Sequence, residues 1–248
     1  MGNVLEFDEL KMYFGEDYVV NDYIIIHTPT IGEIIEFGEK EYFSTVHTIT
    51  AIPSDMKSQL FDMGIDYETL EDYHLFYMLT RGLTKESTNI LFGDLELSKF
   101  NMYINEETEE EVMVNPETNA ILDKLAYFKI VGYIRKMHNI TPKIEHAANK
   151  TTKRILIQLD RDKIAKAKNE PYKSQLRPLV SAMMRYPGFK YKSNELKECS
   201  IVEFMDTVYG SQIYISSTAL LQGSYSGMID TSKINKKEFN WMRMPDEK

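Results

Sequence analysis

Apolar residues recur along this chain in two rhythms, short runs alternating with a period of two and longer stretches with a period near 3.6, and the switches between them predict its elements. The runs Tyr18 to Val20 and Tyr23 to His27 flank the polar step Asn21-Asp22. That arrangement predicts a tight hairpin, although the second turn residue is not the glycine such turns favour. Thr30-Ile31-Gly32-Glu33 then makes a capping-box pattern, in which a Thr hydroxyl and a Glu carboxylate satisfy the free amides of a helix start. Ile34, Ile35, Phe37, Tyr42, Val46 and Ile49 extend that helix over 30–49, and Pro53 ends it. Ser54-Asp55 reads as the cap of a short helix through Leu60 and Phe61, closed by Gly64. A third helix is expected over 69–80, with Leu70, Tyr73, Phe76, Tyr77 and Leu79 inward and Gly82 as its stop.

After Leu91-Phe92-Gly93, alternation returns in Met102-Tyr103-Ile104 and Val112-Met113-Val114, joined by an acidic loop over 105–111, a second hairpin. From Asn119 the helical period resumes, and Ile121, Leu122, Leu125, Phe128, Val131, Ile134 and Met137 form one stripe about five turns long. A basic helix over 150–168 and a further one over 174–186 follow, the latter ended by Pro187-Gly188. Residues 201–221 read as one long helix or as two pieces broken at Gly210. A turn at 223–227 and a terminal helix over 233–241 complete the pattern. The fold class is therefore α+β, predominantly helical with two short β-hairpins. It divides into an acidic α+β segment over 1–118 and a mainly helical segment with a basic middle over 119–248. No linker, repeat or low-complexity stretch separates the two.

Charge changes the picture more than composition does. Residues 1–126 carry 7 Lys and Arg against 26 Asp and Glu, whereas 127–197 carry 17 against 5, so the overall net of −9 hides two opposed segments. Such segregation either folds back on itself as a clamp or presents one sign to a partner and steers association. Both outcomes belong to a binding or assembly protein. With 248 residues and 43% hydrophobic content the chain is long enough to bury a core without staples. The single Cys199 makes no intramolecular disulfide, and the acidic start is expected to carry no signal peptide, so a reducing cytosol is the expected compartment. No apolar run approaches the roughly 20 residues of a membrane span. Gly2 lacks the Ser or Thr at position 6 that a myristoylation signal uses.

Candidate chemistry is sparse. His27, His47, His74, His138 and His146 show no i,i+4 pair, no HExxH and no nearby Cys, so neither a metal nor a cofactor is expected. Cys199 lies beside Glu198 with no His nearby along the chain, and the isolated Gly82, Gly93 and Gly188 make no phosphate-binding loop. No catalytic residue is therefore assigned. Lys150, Lys153, Arg154, Arg161, Lys163 and Lys166 make a basic surface that would suit phosphate, and Tyr186, Phe189 and Tyr191 could stack on bases. The acidic first segment opposes that reading and favours a protein partner.

The stretch Ile24-Ile25-Ile26-His27-Thr28-Pro29-Thr30-Ile31-Gly32-Glu33-Ile34 resembles the opening of tail assembly chaperone-type proteins of bacteriophages, where a strand runs into a Pro-Thr-x-Gly-Glu helix start. Tyr42-Phe43, the helices between Met56 and Tyr77, the stretch Gly223 to Asp230 and Lys236-Lys237-Glu238-Phe239-Asn240-Trp241 resemble structural-gene products of phages of low-GC Gram-positive bacteria. The resemblance implies a non-enzymatic protein that binds the tape-measure protein during tail assembly in the cytoplasm of the infected host. A structural component of the virion and a nucleic-acid-binding protein are the alternatives. The expected partner site is an apolar groove walled by the 30–49 and 69–80 helices through Tyr73 and Tyr77. Its rim would be Glu33, Glu36, Glu39, Glu41, Glu68, Glu71 and Asp72, matched to a basic amphipathic helix.

Overall fold

The computed structural model describes residues 7–106 and 108–244; the first six residues, Glu107 of the acidic loop and the last four residues lie outside them. Helix α1 (Glu9–Tyr13), capped by Asp8, leads into strands β1 (Tyr18–Asn21) and β2 (Ile24–Ile26), which pair antiparallel with Val19 opposite Ile25. The turn sits one residue later than predicted. Asn21 does the work of the missing glycine: its side-chain oxygen accepts from the amides of Tyr23 (3.0 Å) and Ile24 (2.9 Å).

The capping box forms as expected. The Glu33 amide donates to the Thr30 hydroxyl (3.2 Å) and the Thr30 amide to the Glu33 carboxylate (2.7 Å). The helix it starts is shorter than predicted. Gly38 takes φ 105°, a backbone state that side chains with a Cβ rarely adopt, and it divides the stretch into α2 (Ile31–Phe37) and α3 (Glu39–Thr50). A tight turn over Pro53–Asp55 precedes α4 (Lys57–Asp62). Asp55 closes that turn by accepting from the Ile52 amide, while the cap of α4 comes from far away. The Ser58 amide and hydroxyl both donate to Asp160, at 2.9 and 2.7 Å.

Helix α5 (Asp72–Thr80) starts three residues later than the pattern suggested. Helix α6 (Lys85–Phe92), capped by Thr84, was not anticipated. Strands β3 (Asn101–Ile104), β4 (Glu111–Val114) and β5 (Ile121–Leu122) form an antiparallel meander in chain order. Ile121 and Leu122 thus belong to a strand, not to the predicted helix. Helix α7 (Lys124–Met137) begins only after Asp123, whose carboxylate accepts from the Ala126 amide (2.7 Å). This rotates the buried side to Ala126, Tyr127, Ile130, Val131, Tyr133, Ile134 and Met137, leaving Leu125 and Phe128 outside.

Helices α8 (Lys150–Asn169), α9 (Leu176–Arg185), the unanticipated α10 (Ser193–Glu198) and α11 (Ile201–Tyr225) follow. Helix α11 runs unbroken through Gly210 and takes in three residues of the predicted 223–227 turn. The predicted terminal helix is instead two short 3-10 turns, Thr231–Lys233 and Lys236–Phe239. The class is therefore α+β and mostly helical, with 11 α-helices and two small antiparallel sheets among the described residues.

One core cluster runs from Met12 to Val208 and draws on both the acidic and the mainly helical segment. Helix α7 passes through it. The Tyr133 ring stacks on Tyr18 at 4.5 Å, and its hydroxyl meets that of Thr28 at 2.9 Å. A smaller cluster of Leu60, Tyr67, Leu75 and Ile157 lies under α8.

Two buried polar contacts generate tests. Tyr73 is inserted into the three-stranded sheet: its hydroxyl accepts from the Met113 amide (3.0 Å) and donates to the Leu122 carbonyl (2.5 Å). Tyr73→Phe should cost about 2–4 kcal/mol in urea denaturation, because two buried backbone groups lose their partner. A loss below about 0.5 kcal/mol would remove the bridging role. His138 is half-buried beside the core, its Nδ1 at 2.8 Å from the Ile134 carbonyl and its Nε2 at 2.7 Å from the Tyr42 hydroxyl. Burial, and to a lesser degree His47, pushes it down to about 4 against the backbone bond that raises it. The unfolded state therefore binds the proton first. Stability should be fully present above about pH 6.5 and fall by up to about 3 kcal/mol as the pH drops toward 4. His138→Gln should flatten this acid limb in a denaturation series against pH.

Candidate protein-docking face

The hairpin, β5 and α7 together expose a set of large apolar side chains. Strand alternation sends Val20, Ile24 and Ile26 into the core and turns Val19 and Ile25, paired across the ladder, outward beside Tyr23. On α7, Leu125 and Phe128 sit three residues apart on one side, four and seven residues after the exposed Ile121. The six are between 48% and 61% exposed. Two hydrogen bonds stitch the surfaces together: the Asn21 side chain donates to the Ile121 carbonyl (3.1 Å) and Lys129 to the Val20 carbonyl (3.4 Å). The patch is thus carried on packed secondary structure. Exposed Asp22 in the hairpin turn and Asp123 between Ile121 and Leu125 put acid at its edge.

Four of the seven acidic residues expected to rim a groove, Glu33, Glu39, Glu68 and Glu71, have partners within the molecule. Glu33 completes the capping box and faces His27 Nε2 at 3.2 Å, while Asp17 holds His27 Nδ1 at 2.7 Å. Burial lowers His27, but the two carboxylates outweigh it and hold the imidazole above its ordinary value. Glu39 accepts from the amides of Gln175 (2.6 Å) and Leu176 (2.8 Å) and so caps α9. Glu68 accepts from the Ala147 amide (2.7 Å) and pairs with Lys153 (2.6 Å); Glu71 pairs with Lys124 (2.8 Å). Glu36 stays exposed on an open notch with Phe37, Lys85 and Asn89, and Glu41 is exposed on α3. Asp72 is half-buried, where burial raises its carboxyl.

The expected groove walls are packed against one another. Tyr73 is buried within the sheet contact already described, and Tyr77 lies partly buried against the core. Both are therefore assigned to the interior rather than to a partner surface. The patch that is exposed escaped the sequence pattern because Ile121, Leu125 and Phe128 mimic a helix stripe.

Of the predicted basic surface, Lys153 and Arg161 are internally paired, with Asp66 and Glu68 and with Asp62 (2.6 Å) respectively. Tyr67 lies between Lys57 and Lys153, whose ammonium groups stand 5.9 and 5.0 Å from its ring centroid. Lys150, Arg154, Lys163 and Lys166 are exposed and make no ion pair among the described residues. The proposed stacking aromatics are not free. Tyr186, Phe189 and Tyr191 pack on the core, and the Tyr191 hydroxyl donates to Glu203. Cys199 is buried, and burial together with Glu203 pushes its thiol far above the ordinary value. His47 and His146 are exposed, and His74 pairs with Glu111 at 2.6 Å. No group of three or more His, Cys, Asp or Glu able to hold a metal occurs among the described residues, and none of their helices is long and apolar enough to cross a membrane.

The chain matches no protein-family model, no curated protein and no solved structure.

The two sides of α7 should respond oppositely to substitution. Phe128→Glu, on the exposed side, should change unfolding free energy by less than about 0.5 kcal/mol. Ile130→Ala, on the buried side, should cost about 2–5 kcal/mol. Equal losses in a denaturant titration would show that the patch is part of the core.

Proposed function

We propose that this protein is a non-enzymatic binding protein of phage tail morphogenesis, which chaperones the tape-measure protein. The observation that carries the reading is the set Val19, Tyr23, Ile25, Ile121, Leu125 and Phe128, six half-exposed large apolar side chains on elements hydrogen-bonded to one another. Patches of this kind mark protein-interaction surfaces. Five of the six residues, all but Phe128, belong to the acidic part of the chain, where residues 1–126 carry a net of −19. A basic amphipathic helix, laying its apolar stripe along Leu125 and Phe128 and its cations toward Asp22 and Asp123, fits both features. Apolar contact would supply most of the affinity and the surrounding acid the encounter rate. The docking face differs from the groove the sequence suggested, while the partner chemistry is the same.

The test is co-expression with a phage tape-measure protein, followed by affinity capture. The expected result is a complex that Phe128→Glu or Val19→Glu abolishes. Asp22→Lys, which leaves the Asp123 cap of α7 in place, should slow association, most visibly at low salt. Absence of a complex, with this protein recovered stoichiometrically from finished virions, would favour the structural-component reading. Salt-resistant binding of duplex DNA, lost on reversing Lys150 and Arg154, would favour the nucleic-acid one.

A further inference from the structure

The second half of α11 is unlike any other helix in the molecule. Residues 207–229, 23 in a row, contain no charged side chain, in a chain that is 27% charged. Beyond Val208 the helix buries only Ser217. A helix in water ordinarily turns its large apolar side chains toward a core, whereas this one leaves Tyr214, Ile215 and Tyr225 outward among uncharged Ser, Thr and Gln. Part of this surface is covered by the chain itself. After Gly227 the tail turns back along α11: Ile229 packs over Gly223, the Ser217 hydroxyl donates to the Glu238 carbonyl (2.7 Å), and Tyr214 meets Trp241 edge-on at 5.9 Å. The remainder is open. Tyr214, Ile215, Trp241 and Met242 are half-exposed or more, and Tyr225 and Met228 are 85% exposed. Beside Ile215 runs a groove of about 520 Å³ between α9 and α11, lined by Leu179, Met183, Tyr186 and Val208.

We propose that this arm is the contact between two copies of the chain, joined about a two-fold axis with α11 antiparallel to α11. Three observations select a second copy. First, the molecule carries a net of −9, so copies repel where their acidic surfaces face; α11 contributes no charge beyond Asp206, and the charges beside it include cations, Arg185 at the groove and Lys236 and Lys237 on the tail. An uncharged surface offers little for a strongly basic or acidic partner to recognise. Second, knob and recess lie on the same element. Ile215 is part of the groove wall, and in an antiparallel pair centred near Ala219 the exposed Tyr225 and Met228 of one copy come opposite the groove of the other, which is the self-complementarity that a two-fold contact requires. Third, the area suffices. Taking ~200 Å² for a fully exposed large side chain, the six residues leave on the order of 800 Å² uncovered. A standard stable interface buries ~800 Å² per partner.

Sedimentation equilibrium of the full chain tests this directly. The expected result is a dimer at micromolar concentration whose association holds or strengthens as salt is raised, because screening relieves the repulsion between like-charged bodies. Tape-measure binding at the acidic patch should instead weaken with salt, so the two readings fail separately. Tyr214→Glu with Ile215→Glu should weaken the dimer about tenfold or more. Phe128→Glu should leave it intact. Ala219→Cys, on the exposed side of α11, should cross-link to its symmetry mate on oxidation, with buried Cys199 silent. A monomer across the concentration range would overturn the proposal. So would a dimer unaffected by the two glutamates together with no cross-link in the Ala219→Cys variant, or a monomer that binds neutral phosphatidylcholine vesicles through the arm.

Discussion

Two helices of this protein start from one antiparallel bridge. The Ile31 amide donates to the Cys199 carbonyl and the Ile201 amide to the Pro29 carbonyl, each at 2.9 Å. Between these bonds stand Thr30 and Ser200, the caps of α2 and α11. The approach is close: a Cβ on Gly32 would lie 2.8 Å from the Lys197 carbonyl oxygen, so the glycine is what lets the chains meet. Ser200 also donates to the Tyr13 carbonyl (3.1 Å), which brings α1 to the same point. Thr30 and Ser200, 170 positions apart, are thereby held in register. The hairpin that precedes Thr30 and the long helix that follows Ser200 leave this junction in fixed directions, one toward α7 and the other toward the tail.

Part of the chain's opposed charge is paired inside the molecule. Lys153 meets Asp66 and Glu68, Arg161 meets Asp62, and Lys57 meets Glu145; of these carboxylates, all but Glu145 come from the acidic segment. Lys57 is buried, whereas an exposed pair such as Arg161–Asp62 contributes little, typically below about 1 kcal/mol. The larger effect of these pairs is on what remains outside. Once Glu33, Glu39, Glu68 and Glu71 serve as caps and ion-pair partners, the acidic segment's open apolar surface lies on the hairpin and α7 instead of between α3 and α5.

Features built from neighbours in sequence could be read before the structure. The Thr30–Glu33 capping box, both hairpins and the long stretches of α8 and α11 all rest on contacts within a few residues. What escaped depends on distant partners or on one backbone angle. Gly38 gives no sign that it will take a positive φ. The cap of α4 is Asp160, 102 residues beyond Ser58. Ile121 and Leu122 could join either a strand or the helix after them, and their pairing with β4 decided it. That two-residue strand moved the start of α7, and with it the side of the helix that faces water. The candidate docking face was thus concealed by a register error, and the predicted groove by the same residues' role in the core.

Helix α8 has 20 residues and buries one of them, Ile157. Its attachment otherwise rests on the Asp160 cap, the pairs with Asp62, Asp66 and Glu68, and the Tyr67 ring beneath Lys153. Releasing it would forfeit little apolar burial, far less than withdrawing α7. It is the segment whose detachment leaves the main core whole, a separate cooperative unit at the low end of the molecule's range of opening energies. Amide protons of α8 would then exchange on a timescale of their own, and detachment would leave the first turn of α4 without its cap. The strongest concentration of unbalanced positive charge among the described residues is therefore mounted on a helix that polar contacts, more than apolar burial, hold in place.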